Sequence, residues 1–327
     1  MEEVKQMHET LLKVESAPDL IQVTGGEPSI HPEIIPILKY LKSGPVRHLM
    51  LNTNGIRISE DEEFVKELKG LGGGFEVYLQ FDSLEETALK RLRNANVKKI
   101  REKALAMLDK YNLSTTLVCV IEKWLNDDEI PKLIEYASKW KCVRGIVFQP
   151  IQDVGRNLAG ENFRITLSEI RQKIISGNTA FTDADMIPLP CDPHKICVGY
   201  ALKTDGKIHP VTGKIPRELI TEQKGTVAFE QDREFIKTVI KTVSLDTAFG
   251  ENIINKDSVK RKLFCCWPEF LAPEKMSYEN VFRVIIMEFS DIYNFDTTNI
   301  KRECNFMIEP GRAIPFSTYN MGLSRSS

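Results

Sequence analysis

The sequence predicts an α/β fold built on a mainly parallel sheet, and two observations predict it. Over the first 150 residues, short apolar runs rich in β-forming residues alternate with longer amphipathic segments. Between several of these runs, a short polar residue stands three positions before a glutamate, a pattern typical of a helix N-terminus. Strands and helices in strict alternation indicate parallel strands joined by crossover helices, wound into an open or closed barrel.

Five apolar runs are predicted to be the strands of this sheet. They are Leu20–Val23, His48–Asn52, Glu76–Phe81, Ser114–Ile121 and Gly145–Gln149. The helix starts expected between them are the polar residues that precede a glutamate by three positions: Ser59, Ser83 and Asn126.

Composition and charge limit the class of protein. The chain has 327 residues, 42% of them hydrophobic and 28% charged, which is typical of a globular protein with a sizeable core. Its net charge of -2 gives no strong field that would attract nucleic acid or an anionic membrane. No apolar run is long enough to span a bilayer, and the N-terminus has no apolar signal core. We expect a cytoplasmic protein, in which the seven cysteines are thiols or metal ligands rather than disulfides.

Polar and glycine-rich segments follow most of the predicted strands. They are Thr24–Pro28, Thr53–Gly55, Gln80–Ser83 and Gln149-Pro150. Because the carboxyl ends of parallel strands meet at one edge of a sheet, these segments are expected to share one rim. That arrangement predicts a ligand site there.

The turn after the first strand, Thr24-Gly25-Gly26-Glu27-Pro28, has the most specific chemistry of these segments. Two glycines let main chain approach a ligand closely, and exposed amides there can hold a carboxylate. Glu27 can accept hydrogen bonds from an ammonium group. A ligand with an amino-acid head group would suit this turn; the alternative is a tight turn whose glutamate is merely solvated.

The order of motifs in the first half resembles the radical S-adenosylmethionine (radical SAM) superfamily. The resemblance rests on Thr24-Gly25-Gly26-Glu27-Pro28 after one strand and Leu51-Asn52-Thr53-Asn54-Gly55 at the end of the next. It implies that residues 1–155 form a partial parallel (β/α)6-type barrel, which lacks its first strand. Residues 156–327 would form a smaller α+β domain. The resemblance also implies S-adenosylmethionine as cofactor. The residues that match the family's cofactor turn are Gly25, Gly26, Glu27 and Pro28. The residues expected at the rim are Asn52, Asn54, Gln80 and Asp82.

Two motifs of the second half resemble one branch of this superfamily. Pro190–His194 with Cys197, and Glu309–Phe316 before Tyr319-Asn320, are similar to proteins related to tetraether lipid synthase and to the methylase of methanopterin biosynthesis. The branch implies hydrogen-atom abstraction that leads to C–C bond formation or C-methylation of a small-molecule or lipid-like substrate. It also implies an electron donor such as a ferredoxin or flavodoxin, and an auxiliary iron–sulfur cluster.

Cysteines in the second half are the candidate ligands of that auxiliary cluster. Cys191 lies in the proline-rich segment Ile187–His194 and Cys197 follows it closely, and Cys304 is the expected third ligand because it precedes the C-terminal motif. Relatives usually place a fourth cysteine where this chain has Ser317, so Cys265, Cys266 or His194 would have to substitute. For Cys265 and Cys266, a role as core residues is as well supported by the sequence as a role as ligands. The remaining two, Cys119 and Cys142, are expected to be packing residues.

The superfamily's radical [4Fe-4S] cluster is held by Cys-x3-Cys-x2-Cys, upstream of the Gly-Gly-Glu-Pro turn. Here the 24 residues before Gly25 contain no cysteine, and no other triplet has that spacing. Two hypotheses follow: the chain is an N-terminally truncated radical SAM enzyme, inactive as written, or it is a degenerate, non-catalytic module that binds a metal or a partner. We favour truncation, because residues 1–19 are predicted to be the C-terminal part of the barrel's first helix, and no strand precedes it.

The remaining elements of the second half are predicted from local signals. Thr166 and Glu169 form a capping box, Asp205-Gly206 turns a hairpin over Lys203–Gly213, and Pro310-Gly311 turns a second one. Arg233–Val243 and Ser277–Phe289 are expected to be helices. In the first half, the basic residues Lys98, Lys99, Arg101 and Lys103 are expected to form a solvated helix face.

Overall fold

Strands and helices alternate through the first half of the protein, as the sequence predicts. The computed structural model describes residues 1–154, 161–204, 206–215, 220 and 278–322. Its strands are β1 (Leu20–Val23), β2 (His48–Thr53), β3 (Phe75–Gln80), β4 (Thr115–Ile121), β5 (Val143–Pro150), β6 (Ile187–Pro188), β7 (Ile196–Thr204), β8 (Lys207–Pro210), β9 (Val281–Met287), β10 (Phe306–Glu309) and β11 (Arg312–Pro315). Its α-helices are α1 (Glu2–Val14), α2 (Ile34–Lys42), α3 (Ile56–Glu60), α4 (Glu62–Lys69), α5 (Glu86–Arg93), α6 (Lys98–Lys110), α7 (Ile130–Lys139), α8 (Leu167–Ser176), α9 (Thr297–Ile300) and α10 (Phe316–Asn320).

One nine-stranded sheet organises the described residues. Its order is β1-β2-β3-β4-β5-β9-β7-β6, with β8 paired to β7. Strands β1 to β5 and β9 run parallel, whereas β6, β7 and β8 are antiparallel to their neighbours. The predicted α/β class is confirmed, with a smaller C-terminal part that contributes antiparallel strands. The division at residue 155 stays a prediction, although β9 carries the main sheet across it.

All five strands predicted in the first half are present, but the helix predicted over Ser277–Phe289 is wrong. Val281–Met287 forms β9, which pairs in parallel with β5 and in antiparallel fashion with β7. Its β-branched residues favour an extended backbone. In the sequence, Arg283 interrupts the apolar run of this segment. In the structure, its side chain is nevertheless buried and only 3% exposed. The other predicted helix, Arg233–Val243, lies outside the described residues.

The side chains of the sheet separate two layers of core. One face packs against the helices through residues such as Leu49, Leu51 and Leu79. The opposite face, here called the inner face, carries an apolar cluster of four buried residues: Met50, Tyr78, Val118 and Val147. Burying each such side chain contributes about 1.5–3 kcal/mol to the stability of the fold. Both layers therefore stabilise the strands whose carboxyl ends form the rim.

A charged cluster on the inner face shows that the sheet is strongly curved. Arg283 on β9 donates through Nη2 to both carboxylate oxygens of Glu76 on β3, at 2.7 and 2.9 Å. In a flat sheet, three strand spacings of about 4.8 Å would hold those backbones about 14 Å apart. His48 Nε2 lies 3.0 Å from Glu76, and Thr116 donates to the same carboxylate. These residues lie near the amino ends of their strands, so the cluster fills the end of the barrel away from the rim.

The helix starts differ in detail from the predicted capping boxes. Helix α4 is capped by Asp61, which accepts from the Phe64 amide at 2.9 Å, because Ser59 is still inside α3. Neither Ser83 nor Asn126 caps a helix through its side chain. The box at Thr166 and Glu169 is confirmed at the start of α8.

Both predicted hairpins form, and the C-terminal one packs on the first helix. Strands β7 and β8 pair up to Thr204 opposite Lys207. Strands β10 and β11 are joined through Gly311, whose φ of 85° is a left-handed conformation that glycine adopts readily. The Gly311 amide donates to Thr10 Oγ1 of α1 at 2.9 Å. In the described part of the chain, no helix combines the length and apolar character needed to cross a bilayer.

Candidate functional site

The Gly25-Gly26 turn leaves the carboxyl end of β1 and is open on its outer side. Gly25 has φ 145°, and a β-carbon placed on either glycine would meet no heavy atom within 4 Å. Both residues are exposed, while Ser29 behind them is fully buried. The turn therefore presents bare main chain to open space on a rigid base, as the sequence predicts for a ligand turn.

Glu27 holds this turn to the end of the neighbouring strand. Its Oε1 accepts from the Ser29 amide at 3.2 Å and from Thr53 Oγ1 at 2.7 Å, and its Oε2 accepts from the Asn54 amide at 2.7 Å. An ionised carboxylate has about four acceptor positions, so these bonds occupy most of them. The sequence predicts that Glu27 can face a ligand ammonium group, but it does not reveal this structural role, because the role depends on contacts 26 and 27 residues away.

The two asparagines expected at the rim lie beside the glycine turn. Asn52 donates through Nδ2 to Thr24 Oγ1 at 3.2 Å, which links β2 to the start of the turn. Its Oδ1 is shielded from solvent and has no hydrogen-bond partner among the described residues. The Asn54 side chain accepts from the Ile56 amide at 2.9 Å and so supports the start of α3. An unsatisfied acceptor at Asn52 indicates a partner outside the described residues.

Gln80 and Asp82 occupy different environments although both follow the same strand. Gln80, the last residue of β3, is half-buried. Asp82 is completely buried, where it accepts from Arg93 at 2.7 and 2.8 Å and from Arg101 at 2.8 Å. Burial alone would raise the pKa of Asp82, but the two guanidinium groups hold it below its usual value. With its carboxylate committed in this way, Asp82 anchors the loop after β3 and leaves Gln80 as the rim residue of the pair.

Arg101 corrects the prediction of a wholly solvated basic face on α6. It is 2% exposed, and it donates both to Asp82 and to the Phe81 carbonyl. The side chain reaches from the helix to the end of β3, a tertiary contact that local charge spacing does not reveal. Asp82 also has φ 64°, a left-handed conformation held by this network.

Between the rim and the charged cluster at Glu76, the inner face carries the apolar cluster, and one member of that cluster, Tyr78, pairs with Gln149. The Tyr78 hydroxyl bonds to the side chain of Gln149, and burial raises the pKa of Tyr78. Gln149, near the end of β5, and Gln80, at the end of β3, bring amide groups to the same end of the sheet as Asn52. The described rim therefore offers several neutral donors and acceptors above an apolar floor.

The predicted cluster cysteines divide between the two faces of the sheet. Cys304 Sγ lies 3.1 Å from Cys191 Sγ, and both contact an apolar cluster that contains Ile196 and Val198. Cys197 is buried on the opposite, helix-covered face, where burial raises its pKa to about 11. The hydrogen bond between the paired thiols lowers the pKa of Cys191 and raises that of Cys304. Alternation along β7 thus separates Cys197 from the other two.

The remaining candidate ligands do not complete a metal site in the described part of the chain. Cys265 and Cys266 lie outside the described residues. Ser317 is buried, and its hydroxyl donates to Glu303 at 3.0 Å and accepts from the Ser290 amide at 3.0 Å. Among the residues the structure describes, no three His, Cys, Asp or Glu side chains converge to hold a metal ion. Cys119 and Cys142 are buried packing residues, as expected.

The resemblance implies two bound groups, S-adenosylmethionine and a [4Fe-4S] cluster, and the described residues fit the first but not the second. Open glycine main chain at Gly25 and Gly26, beside an unsatisfied acceptor on Asn52, fits a small polar ligand such as S-adenosylmethionine. A [4Fe-4S] cluster needs at least three thiolates on one side of the site. The sequence has no Cys-x3-Cys-x2-Cys segment, and the described cysteines supply only a pair.

Comparison with known sequences finds curated relatives. A curated relative, the 7,8-dihydro-6-hydroxymethylpterin dimethyltransferase of Methanocaldococcus jannaschii, is 28% identical, over 98% of this chain and 70% of the relative. The GTP 3',8-cyclase of Nitrobacter winogradskyi is 27% identical, over 50% of this chain and 48% of the cyclase. The chain thus spans about half the length of that cyclase.

Solved structures with similar arrangements have low sequence identity. Native anSMEcpe with bound AdoMet and Cp18Cys peptide aligns with a TM-score of 0.39 and 16% identity, over 80% of this chain and 87% of that one. Streptococcus suis SuiB aligns with a TM-score of 0.41 and 13% identity, over 53% of this chain and 40% of that one.

The match to a family covers the part of the chain that carries the rim. Residues 1–137 match the radical SAM superfamily. This range includes β1 to β4, the glycine turn, both rim asparagines and Gln80. The resemblance inferred from the Gly-Gly-Glu-Pro turn is confirmed by this match of residues 1–137 to the radical SAM superfamily.

Proposed function

We propose that the protein binds S-adenosylmethionine at the Gly25-Gly26 turn and belongs to an enzyme that uses it to modify a small molecule. One observation carries the proposal: two exposed glycines with open space above them stand at the carboxyl end of β1, on a base fixed by Glu27. Ligand sites of parallel α/β proteins lie at this end of the strands. The family of residues 1–137 supports the identity of the ligand.

Each rim residue has a distinct part in this proposal. The glycines let the main chain approach the methionyl end of the ligand, where a side chain would block it. Glu27 keeps the turn in place through Thr53 and the Asn54 amide, and its remaining acceptor capacity faces the ammonium group. Asn52 and Gln80 provide amide groups for hydroxyl and ring nitrogen atoms.

In radical SAM proteins, S-adenosylmethionine together with a [4Fe-4S] cluster supplies a carbon radical that abstracts a hydrogen atom. The described residues do not fit that cluster. The contribution of this chain to the reaction is to bind and orient the cofactor and to keep water from the apolar inner face. The electron donor, a ferredoxin or flavodoxin by resemblance, stays a prediction.

For the substrate, we propose a small molecule with a flat nitrogen heterocycle, modified by C-methylation or C–C bond formation. The names of both curated relatives include a compound with such a ring, a pterin in one and GTP in the other. In this chain, Tyr78 and Met50 form an apolar floor below the amide groups of Gln80 and Gln149. A flat ring can pack on that floor while its polar edge pairs with the amides.

A pair of glycine substitutions tests cofactor binding. Gly26→Val places a side chain in the open space above the turn, and Gly73→Val does the same in the loop between α4 and β3, where a β-carbon also meets nothing within 4 Å. Both variants should fold, because the β-carbon at either position meets no heavy atom within 4 Å. Equilibrium dialysis with labelled S-adenosylmethionine should show binding to the parent and to Gly73→Val, and at least tenfold weaker binding to Gly26→Val.

The measurement is made on the protein as purified and again after anaerobic reconstitution with iron and sulfide. Equal binding by the two valine variants would place the ligand elsewhere and overturn the proposed site. Failure of the parent chain to bind S-adenosylmethionine in both preparations would overturn the proposed function.

A further inference from the structure

Cys191 and Cys304 form a pair of thiols that the proposed function does not use. Their sulfur atoms are 3.1 Å apart, although the residues are 113 positions apart in the chain. A disulfide bond is about 2.05 Å long, so the sulfurs need to approach by about 1 Å to bond. Both residues are only partly buried, in contrast to Cys119, Cys142 and Cys197. The pair is therefore accessible from solvent and already in contact.

The surroundings of the pair place it at the rim end of the sheet. Cys191 precedes β7, whose first residue, Ile196, lies opposite Met287 at the carboxyl end of β9. The connection is tight, since the Glu288 amide donates to the Lys195 carbonyl at 2.8 Å. Because β9 runs parallel to β1, its carboxyl end is on the same side of the sheet as the glycine turn.

Cys304 belongs to a segment that reaches from this end of β9 to the first helix. On one side, the Ser317 hydroxyl accepts from the Ser290 amide, and the ring of Phe316 lies 4.7 Å from that of Phe289. On the other side, the β10–β11 hairpin donates from Gly311 to Thr10 of α1. A bond at Cys304 would therefore fix a segment that connects β9 with the helix preceding the glycine turn.

We propose that Cys191 and Cys304 are a dithiol–disulfide couple that ties the loop before β7 to the C-terminal segment. The thiolate of one cysteine attacks a small-molecule disulfide such as oxidised glutathione, and one glutathione thiol leaves. The second cysteine then attacks the mixed disulfide, which forms the protein disulfide and releases the second thiol. Two protein thiols are oxidised, one external disulfide is reduced, and their two protons end on the released thiols.

Mass spectrometry of the full-length protein tests this proposal. Samples are equilibrated anaerobically with reduced or oxidised glutathione, alkylated with iodoacetamide, digested and sequenced. The reduced sample should carry alkyl groups on both cysteines. The oxidised sample should contain a Cys191–Cys304 cross-linked peptide pair with a mass 2 Da below the sum of the free peptides, and two fewer alkylated thiols.

Two variants separate the couple from other thiols. Cys304→Ser should abolish the cross-link and leave Cys191 alkylated or glutathionylated, whereas Cys197→Ala should keep the cross-link, since Cys197 lies on the other face of the sheet. Full alkylation of both cysteines in the oxidised parent would overturn the proposal. Protection of both by bound iron without any cross-link would also overturn it and assign the pair to a metal. These outcomes are independent of S-adenosylmethionine binding.

Discussion

At the scale of single residues, the site depends on two carboxylates that act on the protein itself. Glu27 joins the turn after β1 to the end of β2, and Asp82 joins the loop after β3 to α5 and α6 through Arg93 and Arg101. Each therefore fixes a segment that carries a rim residue. The ligand would meet positions that these buried bonds have already set, which reduces the ordering cost of binding.

Replacing Glu27 with Gln should weaken both the fold and cofactor binding. The amide keeps the shape of the side chain but has one acceptor oxygen instead of two. Its NH2 group cannot accept a hydrogen bond, so either the Asn54 amide or the Ser29 amide loses its acceptor. We expect a loss of about 1–3 kcal/mol in the free energy of unfolding, measured by urea denaturation. Glu60→Gln, at an exposed position of α3, is the control. Equal stability of both variants would contradict the structural role of Glu27.

Asp82→Asn should be more costly, since it leaves two arginines without their shared counter-charge. Arg101 is almost fully buried and Arg93 mostly so. Removing one partner of a buried ion pair typically costs about 3–5 kcal/mol, and urea denaturation should show a loss of that size. A loss below about 1 kcal/mol would mean that Asp82 does not anchor the loop.

These residues also mark the limit of what sequence alone reveals about the site. The glycine turn and Asn52 are predictable because they adjoin a strand end in the chain. The partners of Asp82 are 11 and 19 residues away, and those of Glu27 include Thr53 and Asn54 at the end of another strand. A sequence shows that a carboxylate stands near a rim, but only the tertiary fold decides whether protein or ligand satisfies it.

At the scale of elements, β9 is the strand that completes the parallel run. Its Arg283 crosses the inner face to Glu76 on β3, which also contacts His48 and Thr116. The cluster joins the first half of the chain to a strand that begins at residue 281. The first five strands are predictable from apolar runs that alternate with amphipathic segments, whereas β9 lies beyond that alternating half of the chain and its apolar run is interrupted by the buried Arg283.

A double-mutant cycle should reveal the coupling within this cluster. Arg283→Met alone leaves the buried Glu76 carboxylate with reduced compensation and should cost about 3–5 kcal/mol of unfolding free energy. Combining it with Glu76→Gln removes the unpaired charge, so the double variant should be more stable than the sum of the two single losses predicts. Additive losses would indicate that the two side chains do not interact in solution.

At the scale of the whole molecule, buried carboxylates set the acid stability of the protein. Burial alone would raise the pKa of Glu76, but Arg283 and His48 lower it well below its usual value, and Asp82 is lowered by its arginines. A carboxyl whose pKa is depressed in the folded state contributes stability above its unfolded pKa of about 4. That stability is lost as pH falls through the folded pKa.

Unfolding free energy should therefore decrease as pH is lowered below about 5. Urea denaturation between pH 7 and pH 3 measures this slope. The Glu76→Gln, Arg283→Met double variant has one depressed carboxyl fewer and should show a shallower slope over the same range. Parallel curves for the parent and the double variant would contradict a depressed pKa at Glu76.

Binding of S-adenosylmethionine at the turn of Gly25 and Gly26 can be observed directly at the amides of these two residues. Glycine-selective 15N labelling gives 19 glycine signals to assign in transverse-relaxation-optimised NMR spectra. We predict that titration with S-adenosylmethionine shifts Gly25 and Gly26 and leaves Gly73 unchanged. Shifts confined to other glycines, or no shifts while dialysis shows binding, would contradict the claim that this turn is the cofactor site.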